Sequence, residues 1–297
     1  MDLNAHAADA VEQGRICALA ARGQRDLQKC AAGYPELFSG APFDGALFGN
    51  IAMAIAFSSP WSDVTELRVT NRAVLWGFAL DWQVDYLAKS RTEIDRLVET
   101  SLAVVDGATP AADDPLARFL AELCADLAAV PAYPRLRDVW RAAVHRTLAA
   151  MAVEWQWRAA RRDLTGTLPT FEEYLANADN LACTVVNVAH WIRTGDEETH
   201  RALPRLVEAS DEAQRVLRLV NDLGTYQRDL EWGDLNAIML VPDRAEVEQR
   251  VGVLTGRCQE LLAALAVDCP RPATYLTRQV GFSSGFYRST DFWGSAR

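Results

Sequence analysis

Apolar side chains recur three and four residues apart along most of the chain, whereas the alternation typical of exposed strands is almost absent. Clusters of glycine and proline separate the apolar segments. These clusters lie at residues 33–42, 58–62, 107–115, 131–134, 165–169, 195–204, 233–242 and 269–272. Roughly nine to eleven helices of ordinary length fill the gaps between them. The pattern therefore predicts an all-α fold.

Several helix starts carry capping residues. Thr170 to Glu173 follows Pro169 as a capping box, and Asp243 to Glu246 follows Pro242 in the same way. Asp113 and Asp114 precede a proline and predict a loop followed by a helix start. No repeat period, low-complexity linker or break in composition divides the sequence. We therefore expect residues 1–297 to form a single α-helical domain.

Composition narrows the functional class. The chain has 297 residues, half of them hydrophobic (50%), which is enough to bury a core and enclose a cavity. Its net charge of −10 disfavours nucleic acid as a partner. The apolar runs at residues 50–57 and 73–80 are too short to span a bilayer, and the first residues lack a signal-peptide pattern. We expect a cytoplasmic protein without a membrane span.

Two aspartates follow the apolar run at residues 73–80. Asp81 and Asp85 are four residues apart and so share one face of a helix. An isolated pair of this kind is most often a helix emerging into solvent. The alternative is a cation site, because carboxylate oxygens are ligands that Mg²⁺ prefers.

A second polar column lies later in the chain. Asn221, Thr225 and Asp229 are spaced four residues apart, so their amide, hydroxyl and carboxylate oxygens stack on one helical face. Helix capping would account for Asn221 and its neighbour but not for the two later residues. The spacing favours a set of metal ligands, which could face the acidic pair across a bound diphosphate.

Together these segments resemble the class I terpene synthases, in their bacterial single-domain form, over nearly the whole chain. Asp81 to Asp85 sits where that family has its DDxxD motif. Residues 221–229 match the NDxxSxxxE motif, with Arg228 as the basic residue before the last acid. The resemblance implies a helical bundle enclosing a central apolar cavity, a homodimer, and catalysis with three Mg²⁺ ions. The implied metal ligands are Asp81, Asp85, Asn221, Thr225 and Asp229, and the implied diphosphate-binding residues are Arg218, Arg228, Tyr287 and Arg288.

The departures from the family pattern also carry information. Trp82 stands at the second aspartate of the first motif, while Thr225 and Asp229 replace the usual serine and glutamate. Ala178 stands where many members have an arginine. Residues 174–182 look instead like the YLxxGxDSI segment of labdane-related diterpene synthases such as kaurene synthases, which implies a C20 substrate of the copalyl diphosphate type and a helix break at residues 178–181.

A cyclase also needs an apolar wall, because aromatic faces stabilise a carbocation without quenching it. The expected wall consists of Phe78, Trp82, Asn177, Ala178, Leu181, Trp191 and Trp293. The chain lacks both the second aspartate-rich motif of chain-elongating prenyl transferases and the DxDD motif of class II cyclases. Two alternatives remain open: direct cyclisation of geranylgeranyl diphosphate, and a helical binding or scaffold protein that keeps the fold without turnover.

Overall fold

The computed structural model describes residues 3–40, 42–163 and 166–294, with side chains from residue 7 onward in the first helix. These residues form thirteen α-helices and no β-strand, which confirms the all-α prediction. The helices are α1 (Leu3–Ala32), α2 (Pro35–Phe38), α3 (Gly45–Ser58), α4 (Arg68–Trp82), α5 (Arg91–Val105), α6 (Pro115–Ala128), α7 (Tyr133–Asp163), α8 (Phe171–Ala176), α9 (Cys183–Thr194), α10 (Glu197–Arg201), α11 (Leu203–Trp232), α12 (Arg244–Leu265) and α13 (Pro270–Phe286). Within the described ranges, none of these helices combines the length and apolarity that crossing a membrane requires.

There are more helices than the nine to eleven expected. Two short ones, α2 and α10, form inside clusters of glycine and proline that the sequence pattern treats as breaks. Another boundary, between α4 and α5, lies where the chain has neither residue type. Ser90 starts α5 there by accepting a hydrogen bond from the amide of Glu93.

The predicted helix caps are present. The Thr170 hydroxyl accepts from the Glu173 amide at 3.2 Å, and the Glu173 carboxylate accepts from the Thr170 amide at 2.8 Å. This reciprocal pair confirms the capping box at the start of α8. Asp114 caps α6. Asp243 caps α12 by accepting from the Ala245 amide, a simple cap in place of the capping box expected with Glu246.

Helix α9 lies in the middle of the bundle. Residues 184–192 are all buried, including Thr184, Asn187 and His190, whose polar groups are hydrogen-bonded to neighbouring helices. It packs against α4, α7 and α11, and α11 packs in turn against α12 and α13. Several of these helices contribute to the wall of a central cavity.

Two irregular turns interrupt this framework. The last turn of α4 widens into a π-helix over Gln83–Leu87, closed by the Ala88 amide on the Gln83 carbonyl at 2.8 Å. Between α8 and α9 the chain forms a 3₁₀ turn over Ala178–Leu181, which confirms the expected helix break.

Ala182, which ends the break, has φ +57° and is the only non-glycine residue with positive φ among those described. The break is fixed by side chains from neighbouring helices. Asp179 receives two hydrogen bonds from Arg146 on α7 and one from Gln214 on α11. Gln214 also accepts from the Thr184 amide in the first turn of α9. The left-handed residue is therefore held by a charged network and not by glycine.

Replacing Thr170 with alanine tests the cap at α8. Thr170→Ala should lower the free energy of unfolding by about 1 kcal/mol, because the Glu173 amide loses its acceptor and the Glu173 carboxylate loses the bond from the hydroxyl. Urea denaturation measures this change. The control Thr109→Ala, in an exposed loop, should change it by less than about 0.5 kcal/mol. Equal values for the two variants would contradict the role of the cap.

Candidate active site

A cavity of about 180 Å³ lies between α4, α7, α9, α11 and the C-terminal segment. One part of its wall is polar and carries the residues of both motifs. The other part is apolar. The apolar lining consists of Val74, Gly77, Phe78, Met151, Leu181, Ala182, Val186, Leu235, Phe292 and Trp293.

The two aspartates of the first motif both line this cavity. Asp81 lies in the last turn of α4 and Asp85 in the π-helical turn that follows. Arg158 of α7 pairs with the Asp85 carboxylate at 2.8 Å and with Asp234 at 3.0 Å. It also donates to the Asp85 carbonyl oxygen at 2.9 Å, so one guanidinium holds both the side chain and the main chain of Asp85.

Negative charge accumulates at this end of the cavity. Burial, together with the carboxylates of Asp234 and Glu154, raises the pKa of Asp81 above its ordinary value. Burial and the adjacent Asp81 raise the pKa of Asp85 in the same direction, although Arg158 opposes the shift. Burial also raises the pKa of Asp234. Carboxylates shifted in this way are removed from water and lie close to one another.

The polar column of α11 faces the cavity through Asn221 and Asp229. The hydroxyl of Thr225 lies behind them, 2.7 Å from Asp229 Oδ2 and 2.9 Å from the Asn221 carbonyl oxygen. Asp229 also accepts hydrogen bonds from Asn236 at 2.8 Å and from Arg228 at 2.9 Å. The three residues therefore form one connected set, as their spacing predicts.

Arg228 connects the second motif to the C-terminal segment. Its guanidinium donates to Asp229 and pairs with Asp291 at 3.1 Å. Tyr287, which precedes that segment, lines the cavity together with Asn221. Both Arg228 and Tyr287 thus present donors to the polar end of the cavity.

Arg218 is placed differently from the free cation that the sequence suggests. It lines the cavity, but its side chain is only 2% exposed and pairs with Glu154 at 2.9 Å. The guanidinium lies over the ring of Tyr174 at 3.8 Å and donates to Asn180. Its charge is therefore already neutralised within the protein.

A second buried carboxylate lies beside this pair. Asp222, the residue after Asn221, accepts from the Tyr174 hydroxyl at 3.0 Å and from the Ala237 amide at 3.1 Å. Burial raises the pKa of Asp222 to about 7. These bonds join α11 to the segment that follows it and to α8.

Six of the residues expected in the site lie outside the cavity wall, and one of them is Thr225, which is buried behind Asn221 and Asp229. Trp191 faces a separate cavity of about 330 Å³ near the start of α13, where it contacts Tyr275. Arg288 is exposed and lines an outer groove. Asn177 donates to the Ala150 carbonyl oxygen, Ala178 is buried inside the helix break, and Trp82 lies behind Trp293. Phe78, Leu181 and Trp293 do line the cavity.

Several residues of the site were missed from the sequence. They are Tyr86, Glu154, Arg158, Tyr174, Asp222 and Asp234. Glu154 and Arg158 lie four apart on α7, a spacing that places an acid and a base on one face. That spacing is visible in the sequence but is common on exposed helices. Only the packing of α7 in the folded protein places these two side chains beside the cavity.

The donor set fits Mg²⁺ by its chemistry. Every candidate ligand offers oxygen, as this hard cation prefers. Among the described residues, no three histidine, cysteine, aspartate or glutamate side chains converge on a single ion position. The acidic pair and the Asn/Thr/Asp column belong to different helices, and the column has only one carboxylate. Each group supplies too few oxygens to surround an ion alone. Such ligands therefore suit Mg²⁺ ions whose remaining positions are filled by oxygens of an anion in the cavity.

Comparison with known proteins agrees with this chemistry. The family model described as terpene synthase family 2, C-terminal metal binding, matches residues 72–247. The chain belongs to terpene synthase family 2. The matched residues include both motifs, Arg158 and the helix break.

Relatives match nearly the full length. Ent-pimara-9(11),15-diene synthase of Streptomyces sp. (strain KO-3988) is 29% identical over 276 residues, 92% of each chain. Among solved structures, 2-methylisoborneol synthase of Streptomyces coelicolor A3(2), in complex with Mg²⁺ and geranyl-S-thiolodiphosphate, is 19% identical with a TM-score of 0.71 and 94% of each chain covered.

Linalool/nerolidol synthase of Streptomyces clavuligerus, in complex with 2-fluorogeranyl diphosphate, is 18% identical with a TM-score of 0.71. That match covers 91% of this chain and 94% of the other. These structures confirm the class I terpene synthase fold. As a terpene synthase, the chain is a lyase that acts on a prenyl diphosphate, and the family supports Mg²⁺ as its metal. The scaffold alternative is thereby disfavoured.

Gly224 provides a test of how closely the second motif approaches the C-terminal segment. A Cβ at this position would lie 2.5 Å from the Tyr287 carbonyl oxygen, so Gly224→Ala must displace backbone. We expect kcat/KM to fall on the order of 100-fold, because Tyr287 and Asn221 line the same cavity. Steady-state kinetics measure this loss.

Gly252 offers the matched control. It lies in α12, and a Cβ there would have nothing within 4 Å. Gly252→Ala should leave turnover unchanged and raise the free energy of unfolding by roughly 0.5–1 kcal/mol. Wild-type turnover in Gly224→Ala would show that the close approach is not needed.

Proposed function

We propose that the protein is a class I diterpene synthase. It ionises a C20 prenyl diphosphate, with a copalyl-type diphosphate as the favoured substrate, and directs the carbocation to a cyclic diterpene. The observation that carries this proposal is the similarity over 92% of the chain to a diterpene synthase. The resemblance of residues 174–182 to labdane-related synthases supports the copalyl-type substrate.

The polar end of the cavity binds the diphosphate in this proposal. Bound Mg²⁺, three ions held by Asp81, Asp85, Asn221, Thr225 and Asp229, would supply positive charge to the leaving diphosphate. Arg228 and Tyr287 donate hydrogen bonds to its oxygens. Arg158 keeps Asp85 and Asp234 in place, since it pairs with both.

Arg218 and Arg288 do not bind the diphosphate directly in this proposal. Arg218 is committed to Glu154, so its contribution is to hold the wall beside the helix break. Arg288 lies in the outer groove with Arg244, next to Tyr287. Its exposed guanidinium lies away from the cavity that would hold the diphosphate.

The apolar end of the cavity holds the hydrocarbon chain. Phe78, Phe292 and Trp293 present aromatic faces there, which stabilise positive charge on carbon without offering a nucleophile. Their rings also exclude water, so that the cation loses a proton only after the ring system has formed. Cyclisation thus depends on the shape of this wall.

Parallel incubations identify the substrate. Purified protein with Mg²⁺ receives geranylgeranyl diphosphate, the isomers of copalyl diphosphate, and C10 and C15 prenyl diphosphates, and the extracted hydrocarbons are analysed by mass spectrometry. We expect a cyclic C20 product from a copalyl isomer alone.

The other outcomes each revise the proposal. A cyclic C20 product from the linear substrate would replace the copalyl-type substrate by direct cyclisation. Products only from C10 or C15 substrates, or no product from any of them, would overturn the assignment as a diterpene synthase.

Substitution of the metal ligands tests the site itself. Asp81→Ala and Asn221→Ala should each reduce kcat by roughly 100-fold or more, because the leaving group loses electrostatic stabilisation. A chelator should abolish turnover, and added Mg²⁺ should restore it. Asp113→Ala, in an exposed loop, is the matched control and should retain full activity. Unchanged turnover in both ligand variants would make the assignment wrong.

A further inference from the structure

Trp82 occupies the second aspartate position of the first motif, and its contacts are aromatic. Its ring centroid lies 4.5 Å from that of Tyr86, 5.9 Å from that of Trp293 and 6.0 Å from that of Phe43. The side chain does not line the cavity. Its effect on the reaction must therefore pass through another residue.

Trp293 is the residue through which Trp82 reaches the cavity. The indole of Trp293 is 9% exposed and forms part of the cavity wall. Three rings surround it, with centroid distances of 4.9 Å to Phe78, 5.6 Å to Phe43 and 5.9 Å to Trp82. Phe78 and Trp82 belong to α4, one turn apart, whereas Phe43 precedes α3. We call Phe43, Phe78 and Trp82 the aromatic seat of Trp293.

The segment Asp291 to Gly294 is attached at two points. Asp291 pairs with Arg228 of the second motif at 3.1 Å and accepts from the Gly294 amide at 2.6 Å. Trp293 is held by the aromatic seat, which is built mainly on the helix of the first motif. The same short segment is thus joined to both polar motifs, by an ion pair to one and by ring packing to the other.

We propose that Trp82 is a positioning residue that determines product specificity by holding Trp293 as a wall of the cavity. It provides a packing contact where the family pattern has a carboxylate, and so couples the first motif to the C-terminal segment. This inference rests on the proposed function only for its effect on products. The seating of Trp293 is a property of the protein without substrate.

Loss of the indole should loosen the segment and admit water. A carbocation that meets water forms a C–O bond, and the bound water then releases a proton to give an alcohol. Trp82→Ala leaves a void beside Trp293, and Trp82→Asp adds a carboxylate among aromatic rings where it has no cation. Both variants should therefore shift products from the cyclic hydrocarbon towards alcohols and incompletely cyclised hydrocarbons. Trp82→Phe keeps a ring at the seat and should preserve the product profile.

Hydrogen exchange of metal-free, substrate-free protein provides the direct test. The Gly294 amide donates to Asp291 and reports on the segment itself, while the Ser289 and Thr290 amides donate to the Phe286 carbonyl oxygen and report on the turn that leads into it. Their exchange should accelerate about tenfold in Trp82→Ala and Trp82→Asp, the size expected for loss of an aromatic pair. Trp82→Phe and the control Trp61→Ala, a tryptophan in the separate cavity near α13, should leave these rates unchanged.

Asp291→Asn tests the other attachment point. It provides a second test of the segment if the Trp82 variants do not fold. It weakens the pair with Arg228 while leaving the aromatic seat intact, so exchange should accelerate at Gly294 while Trp293 stays packed. Circular dichroism confirms that each variant retains its helices.

The outcomes separate this proposal from the proposed function. Unchanged exchange in both Trp82→Ala and Trp82→Asp would overturn the seat, whatever the enzyme turns over. Higher turnover or a lower Mg²⁺ requirement in Trp82→Asp, with the segment still protected, would also overturn it, since Trp82 would then merely displace a metal ligand. Accelerated exchange without C20 turnover in the wild type would uphold the seat and reject only the diterpene assignment.

Discussion

The structure depends above all on balancing charge in a cavity whose acidic side chains are mostly buried. Six carboxylates line it: Asp81, Asp85, Glu154, Asp222, Asp229 and Asp234. Three arginines are distributed among them, each committed to particular acids, because an isolated buried charge is strongly disfavoured. Asp81 and Asp222 remain without an arginine of their own in this distribution, and their pKa values are raised. The protein is thereby organised around an excess of negative charge that suits cations.

This distribution also explains the architecture around the cavity. Arg158 and Glu154 lie on α7, Arg218 and Arg228 on α11, and Asn180 in the break between α8 and α9. Most of their ion pairs and hydrogen bonds therefore join different elements of the fold. The polar end is rigid because its side chains hold one another, while the apolar end is shaped by rings from α4 and the C-terminal segment. In the proposed function, the polar end of the wall binds the diphosphate and the apolar end folds the hydrocarbon chain.

Much of this could be predicted from the sequence where the signal is local. Helical spacing predicts the fold class, and Asn221, Thr225 and Asp229 share a face because four residues nearly complete a turn. Trp191 shows where such reasoning fails, since residues 184–192 of α9 are buried on every side and the sequence pattern does not indicate which side meets the cavity. The partners Glu154 and Arg158 depend on tertiary packing. The π-helical turn at Gln83–Leu87 has no sequence signature, so the exact angle between Asp81 and Asp85 could not be foreseen.

That π-helical turn has an evolutionary consequence. A π-turn in an α-helix corresponds to one inserted residue, and each residue of a regular helix turns by about 100°. Deleting a single residue within the turn would return the helix to regular α geometry and rotate the later residues of the turn relative to Asp81. The two acids could then be reoriented without any change in residue type. A single deletion at this turn would thus change the geometry of the first motif of this chain while Asp81 and Asp85 are both retained.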